Sequence, residues 1–365
     1  MKVLIIGQWI YPYITPRANR TWELAKGFAN EGHDVTVYAL LGDRDYSYEE
    51  KKFNMKIKSL GRSMFGMIDS QGRGNRNIIY RAIAKIIGEY NAFPGCEFYP
   101  MIKNCFKQEH DIDLLITIAH PHVIHWATAK YIDLLKPNYW IADCGDPFMG
   151  NAFYHPNMIF KRFEVNFCSR ANFILVPIKE AIQSYYPEFK DKIFVVPQGF
   201  DNSEIVLSKY VQNKVPLFAF AGATYKNKRD PQKFLNYLAN YPYKFRFIVY
   251  SDSPEFIDYA GVLSGKLEIR NKVPRKELIY EISKCDFLIN ISNGTSVQSP
   301  SKLIDYGLAN RPILTISSEF TADEQDKFIN FVHGDYSSKE EVDITMYEIT
   351  NIVKSILGLL NHMEL

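Results

Sequence analysis

Cysteine is scarce in this 365-residue chain, and what there is follows no pattern. The five residues, Cys96, Cys105, Cys144, Cys168 and Cys285, are odd in number and never fall at C-x-x-C spacing. That argues against a disulfide-framed scaffold and a cysteine zinc site, and makes a reducing cytoplasm the expected compartment. Long apolar runs are missing too. Residues 3–7 and 173–177 are of strand length, far below the roughly 20 residues of a spanning helix. No cleavable leader is expected, because Met1-Lys2 runs straight into the first of these runs. Charge of one sign is also lacking: 43 Lys and Arg against 41 Asp and Glu leave +2, too little to argue for nucleic acid as a partner. Neither an internal repeat nor a low-complexity tract is evident.

What the chain does have is alternation of strand-like and helix-like runs, the mark of parallel α/β layers. The spacing predicts a strand over 3–7, then a helix over 20–31 with Trp22, Leu24, Ala25, Phe28 and Ala29 on its apolar face, then a strand over 35–41. Further strands are expected at 114–118, 139–142, 173–177 and 193–196. A second series follows, with strands at 216–221, 245–250, 287–291 and 312–316 and helices at 230–239, 276–283 and 300–309. Between the series, 199–215 is polar and without period, which suits a linker. A last amphipathic helix is expected over 346–360. The length exceeds one ordinary core. The expected architecture is therefore α/β with two Rossmann-like domains, 1–200 and 201–345, facing across a cleft. Residues 346–365 form a C-terminal helix that could pack back on the first domain. Ligands of such folds sit at the carboxyl ends of strands.

The richest segment runs from Asp286 to Tyr306. Ser299 suits a helix N-cap and Pro300 the first helical position, which leaves the next amides free at the positive end of the helix dipole. Lys302 in that turn is unfavourable unless an anion joins it, and a pyrophosphate fits. Ser301 and Asp305 share a helix face, and Asp305 leans toward the N-terminus, where it could accept from ribose hydroxyls. An ordinary capped helix with a solvated Lys and Asp accounts for the same residues.

Other candidates lie at the ends of predicted strands. Gly222 permits close backbone approach, and Lys226, Lys228 and Arg229 after it could neutralise a diphosphate or form a solvated basic turn. His120 could bond a ligand at the cleft edge, or be structural, while His122 and His125 are read as pointing into the following helix. Asp143 and Asp146 resemble a glycosidase pair in spacing only. Asp146 is read as an acceptor-side or cleft-structuring residue, with capping as the equal alternative. The D-x-D strings at 43–45 and 111–113 are assigned to loops, so neither a metal ion nor a cofactor is expected. The basic stretch 56–87, with Lys56, Lys58, Arg62, Arg73, Arg76, Arg81 and Lys85 among apolar residues, could meet an anionic membrane or a lipid-diphosphate acceptor. A loop followed by an ordinary surface helix explains it equally.

The run Pro300-Ser-Lys-Leu-Ile-Asp-Tyr-Gly-Leu-Ala-Asn-Arg-Pro-Ile313 resembles the donor-site helix of family 4 retaining glycosyltransferases of the GT-B fold. More narrowly, it is similar to their bacterial surface-polysaccharide branch, where P-S-K-L-x-[DE]-Y leads to a turn ending in Pro. The opening from Gly7 to Val37, the segment Trp140–Phe148 and the run Val195–Asp201 also resemble the family, in family order along nearly the whole chain. Departures are Val297 where the family has Glu, Gly145 where the branch has Arg, and Thr15-Pro-Arg-Ala-Asn19 in place of the usual glycine pair. The resemblance implies metal-independent, retaining transfer from a UDP- or GDP-sugar to a saccharide or polyprenyl-linked saccharide. Asp305 would bind the donor ribose, and Gly222, Lys226, Lys228, Arg229, Ser299, Pro300, Ser301 and Lys302 the diphosphate, with Lys228 and Arg229 favoured over Lys226. His120, Asp146, Lys228 and Arg229 would carry catalysis, and Arg17, Asn19 and His120 the acceptor side. The protein would then work in the cytoplasm, at the inner face of the membrane if the acceptor is lipid-linked. Two competitors share the architecture: a hydrolysing UDP-sugar epimerase and a non-catalytic nucleotide-sugar-binding protein.

Overall fold

The computed structural model describes residues 1–13, 15–63, 95–151, 156–203, 205–226, 229–292 and 301–361. Two wholly parallel sheets organise them. The first contains β1 (Lys2–Ile6), β2 (Asp34–Ala39), β3 (Lys56–Ser59), β4 (Leu114–Ala119), β5 (Tyr139–Cys144), β6 (Phe173–Val176) and β7 (Ile193–Val195), in the order 3-2-1-4-5-6-7. The second contains β8 (Leu217–Ala221), β9 (Arg246–Tyr250), β10 (Leu267–Arg270), β11 (Phe287–Ile291) and β12 (Ile313–Ile316), in the order 10-9-8-11-12. Helices pack against the sheets, and the inner strands read as almost wholly apolar runs. Every residue of β4 and of β11 is buried. These are the two Rossmann-like α/β units that the alternation predicts.

The order of strands determines where a ligand can go. In each sheet the chain builds outward on one side of its first strand and then returns to the other side. The reversals fall between β1 and β4 and between β8 and β11, and crevices open at the carboxyl ends of strands at such points.

Residues Met1–Asp201 and Met346–Leu365 make one compact unit, and Asn202–Thr345 the other. In the first, α1 (Pro16–Asn30) packs on β1 so closely that a Cβ on Gly7 would lie 2.3 Å from Thr21 Oγ1. The last helix, α11 (Ile349–Asn361), lies on α1 at Gly27, where an added Cβ would meet Ile349 Cγ1 at 2.6 Å. Phe200 N donates to Tyr347 O at 2.8 Å, and Ile349 N to Phe200 O at 3.0 Å. The core of the second unit is built on phenylalanine. Phe218 stacks on Phe247 and Phe287 at 4.8 and 4.9 Å, and Phe328 meets it edge-on.

Several expectations need correction. The first helix begins at Pro16 and not at 20, because Thr15 Oγ1 accepts from Ala18 N at 3.1 Å and Pro16 takes the first position. Arg17 and Asn19 are thus helical, not loop, residues. The last helix starts at Ile349, after a short turn at Thr345–Tyr347. The basic stretch opens as strand β3, and its first charges are answered by acids from elsewhere in the fold. Lys56 meets Asp34 at 3.1 Å, Lys58 meets buried Glu109 at 2.6 Å, and Arg62 meets Asp43 at 2.6 Å. Arg73, Arg76, Arg81 and Lys85 lie outside the described residues. Among those described, no helix is long and apolar enough to cross a membrane.

Candidate functional site

The second unit gathers its candidates at the β8–β11 reversal. Strand β8 ends at Ala221, whose N–H is held by the Tyr306 hydroxyl at 2.8 Å. Tyr306 is fully buried on α9 (Ser301–Leu308) and so ties that helix to the strand end. Gly222 follows with φ +153, a backbone that side chains rarely adopt. A Cβ placed there would lie 3.7 Å from Arg229 Nη1 and 3.9 Å from Lys302 Cγ. Gly222 is therefore a bare floor, bordered by the Phe220 ring, the Arg229 guanidinium and the stem of Lys302.

Arg229 reaches this floor because the chain doubles back on itself. Tyr225 N and Arg229 N each donate to the other residue's carbonyl, at 3.2 and 2.9 Å, and close a tight turn. Its guanidinium then donates from Nε to Ile291 O at 2.6 Å and from Nη2 to Asn290 Oδ1 at 3.2 Å, both at the end of β11. Arg229 is 8% exposed, and burial lowers its pKa. These partners are neutral oxygens, and among the described residues no carboxylate pairs with it. Lys226 is exposed on the turn. Lys228, Ser299, Pro300 and the Ser301 side chain lie outside the described residues.

On α9, Lys302 Nζ stands 3.4 Å from Asp305 Oδ2. The other carboxylate oxygen, Oδ1, accepts from Arg275 Nε at 2.6 Å. Arg275 opens α8 (Arg275–Ile282) directly after Pro274, and sequence reasoning passed over it. Its charge and its place at a helix start were visible, but its partner thirty residues on was not.

The first unit brings a second group together near the β1–β4 reversal and the end of β5. Asp143, at the end of β5, is buried between two arginines of α1. Arg20 donates from Nε and Nη2 to Oδ2 at 3.0 and 2.7 Å, and from Nη1 to Pro197 O at 2.6 Å. Arg17 Nη1 lies 3.4 Å from Oδ1. Burial lowers the Arg17 pKa, and Asp143 pulls it back up. The Arg17 guanidinium rests on Gly145, where a Cβ would stand 2.2 Å from Arg17 Cζ. The missing side chain at 145 is what makes room for Arg17. These arginines and Asp143 line a small recess with Cys144, Val176 and Gln198.

His120 and Asp146 are exposed beside this group, and Asn19 is half-buried on α1. His122 and His125 are buried, as expected, against α4 (Val123–Leu135). His122 Nε2 donates to the Asp146 carbonyl at 3.0 Å, and His125 Nδ1 lies 2.8 Å from Thr117 Oγ1. Burial holds His122 well below the ordinary imidazole range and His125 at about 4, so both are neutral; His122 supports the loop that carries Asp146, and His125 ties α4 to β4 and β5.

No protein-family model and no curated protein matches the chain. Solved structures do. HepE from Anabaena, in complex with UDP-glucose, is similar with a TM-score of 0.61 at 9% identity, covering 99% of this chain and 100% of that one. A glycosyltransferase from Rickettsia africae gives 0.59 at 12% identity, covering 99% and 98%. UDP-GlcNAc 2-epimerase from Neisseria meningitidis, bound to UDP-GlcNAc, gives 0.58 at 12% identity, covering 99% and 100%. At such identities the likeness is one of fold. The chain has the GT-B fold, which these transferases share with an epimerase.

Proposed function

We propose that the chain is a nucleotide-sugar-dependent glycosyltransferase whose second unit seats the donor. One observation carries this reading. Arg229 is a buried cation, without a described counter-charge, facing the bare backbone of Gly222 next to Lys302. An isolated buried charge costs several kcal/mol by order of magnitude, and a diphosphate at Gly222 would answer it. Arg229 and Lys302, with Lys228 and the Pro300 helix start, would stabilise the leaving nucleoside diphosphate as its negative charge develops. Asp305 would take the ribose. Arg17, Asn19, His120 and Asp146 would receive a saccharide or lipid-linked saccharide acceptor. Retention at the anomeric carbon, with a departing phosphate oxygen as base, follows from the family resemblance and requires no metal.

The epimerase neighbour keeps a second reading alive, since both activities use UDP-linked sugars. Epimerisation needs several acid–base side chains around the sugar. Here both Asp143 oxygens are already taken by Arg20 and Arg17, which favours transfer. The test is a thermal-shift screen of UDP-, GDP- and ADP-sugars on the wild type, Lys302→Ala and Asp305→Ala, followed by NMR of the products. A shift unaltered by either substitution contradicts the donor site. Epimer formed without acceptor selects the second reading, and binding with no turnover selects a non-catalytic protein.

A further inference from the structure

The Asp305 carboxylate does not stand open for a ligand. It is 5% exposed, and both of its oxygens face cations. The two contacts are unequal. Arg275 donates from Nε at 2.6 Å, a short charge-assisted bond from a planar, rigid group. Lys302 approaches only to 3.4 Å, from a flexible stem. That same Lys302 stem also flanks the floor at Gly222. One ammonium therefore has two places to be, at the carboxylate or over Gly222, and Arg275 decides what leaving the carboxylate involves. With Arg275 in place, Asp305 stays paired when Lys302 departs. Without it, a nearly buried carboxylate would be left uncompensated.

We infer that Arg275 is a positioning residue for ribose recognition and that Lys302 couples the two halves of the nucleotide. This rests on the donor reading above. When a diphosphate occupies the Gly222 floor, Lys302 turns to it and uncovers Asp305 Oδ2. Arg275 keeps the carboxylate fixed in direction through Oδ1. Oδ2 then accepts from the ribose hydroxyls. Phosphate binding thus prepares the ribose contact, and by linkage the ribose strengthens phosphate binding to the same degree.

Ligand-observed NMR and calorimetry on the intact protein test this with UDP, 2′-deoxy-UDP, uridine and inorganic pyrophosphate. In the wild type, saturating pyrophosphate should tighten uridine about fivefold or more, the lower end of ordinary coupling between sites. In Lys302→Met, uridine alone should bind at least as well as to the wild type, and pyrophosphate should no longer help it. In Arg275→Ala, UDP should weaken about tenfold, and its advantage over 2′-deoxy-UDP should shrink toward one, while pyrophosphate weakens less than UDP, only by what it costs to draw Lys302 from the carboxylate. A merely structural role for Arg275 would weaken all ligands alike and leave that ratio intact. Uridine indifferent to pyrophosphate in the wild type, coupling that survives Lys302→Met, or an unchanged ratio in Arg275→Ala overturns the inference. If UDP binds and coupling is absent, this inference alone falls. If neither UDP nor GDP binds the wild type, the donor reading falls with it.

Discussion

Glu164 offers a quantitative test of how the first unit is held together. It sits on α5 (Lys161–Arg170) with no exposed surface, and its Oε1 accepts from Met149 N at 3.2 Å. Met149 belongs to the loop after β5 that carries Gly145 and Asp146. Burial pushes the carboxyl up from 4.5 to about 7, against the opposing pull of the Met149 amide, the Tyr186 hydroxyl and the Phe148 amide. The folded protein therefore keeps a proton that the unfolded chain releases near pH 4.5. Stability falls as pH rises through that window, by at most about 1.4 kcal/mol per pH unit and about 3 kcal/mol in all. Glu164→Gln keeps the shape and cannot ionise. Urea unfolding of both proteins from about pH 4 to about pH 9 reads the effect as a difference curve. Relative to its value at the acid end, the variant's advantage should grow between pH 4.5 and 7 and level off about 3 kcal/mol higher. A fixed offset from the new amide would move the whole curve and leave its slope. A flat difference would refute the argument that burial holds the proton.

Three further outcomes can be checked on the same material. Gly145→Ala places a methyl 2.2 Å from Arg17 Cζ, the far end of a flexible side chain, so it should push the guanidinium aside and cost under about 1 kcal/mol in urea unfolding; it should slow acceptor-dependent turnover with donor affinity unchanged, and full activity would remove Arg17 from the acceptor side. Arg229→Met should weaken donor binding by roughly 1.5–3 kcal/mol, seen in calorimetry as about a ten- to hundredfold rise in the UDP dissociation constant; unaltered binding would take Arg229 out of the site. Gly27→Val drives a branched side chain into Ile349 and Val353 and should destabilise the first unit by about 1–3 kcal/mol; an unshifted urea midpoint would show that α11 moves aside at no cost.

The sheets were legible because parallel strands covered on both faces are apolar at nearly every position. Leu114–Ala119 and Phe287–Ile291 are such runs, broken only by Thr117 and Asn290. Two of the edge strands, β3 and β10, were not. In β3, Lys56 and Lys58 look like surface charge until Asp34 and Glu109 come alongside. Helix starts failed in a similar way, since Thr15-Pro16 reads as a loop as readily as a cap. At the candidate site, the residue types at strand ends were readable, and Arg229, Lys302 and Gly222 do come together. What local pattern could not supply was partnership. The Arg17–Asp143 contact spans 126 positions and Arg275–Asp305 spans 30, and no periodicity connects such pairs.

The pairing of Phe200 with Tyr347 and Ile349 means that the chain leaves the first unit and re-enters it at one spot. In chain order, the stretch Asn202–Thr345 is thus an insert between two segments of one compact unit. Deleting it and rejoining the cut ends with a few Gly and Ser residues should give a miniature protein that keeps α11 as its lid. Stopping translation at 345 would instead leave Gly27 and Gly199 without the side chains that cover them, and so an oily, sticky product.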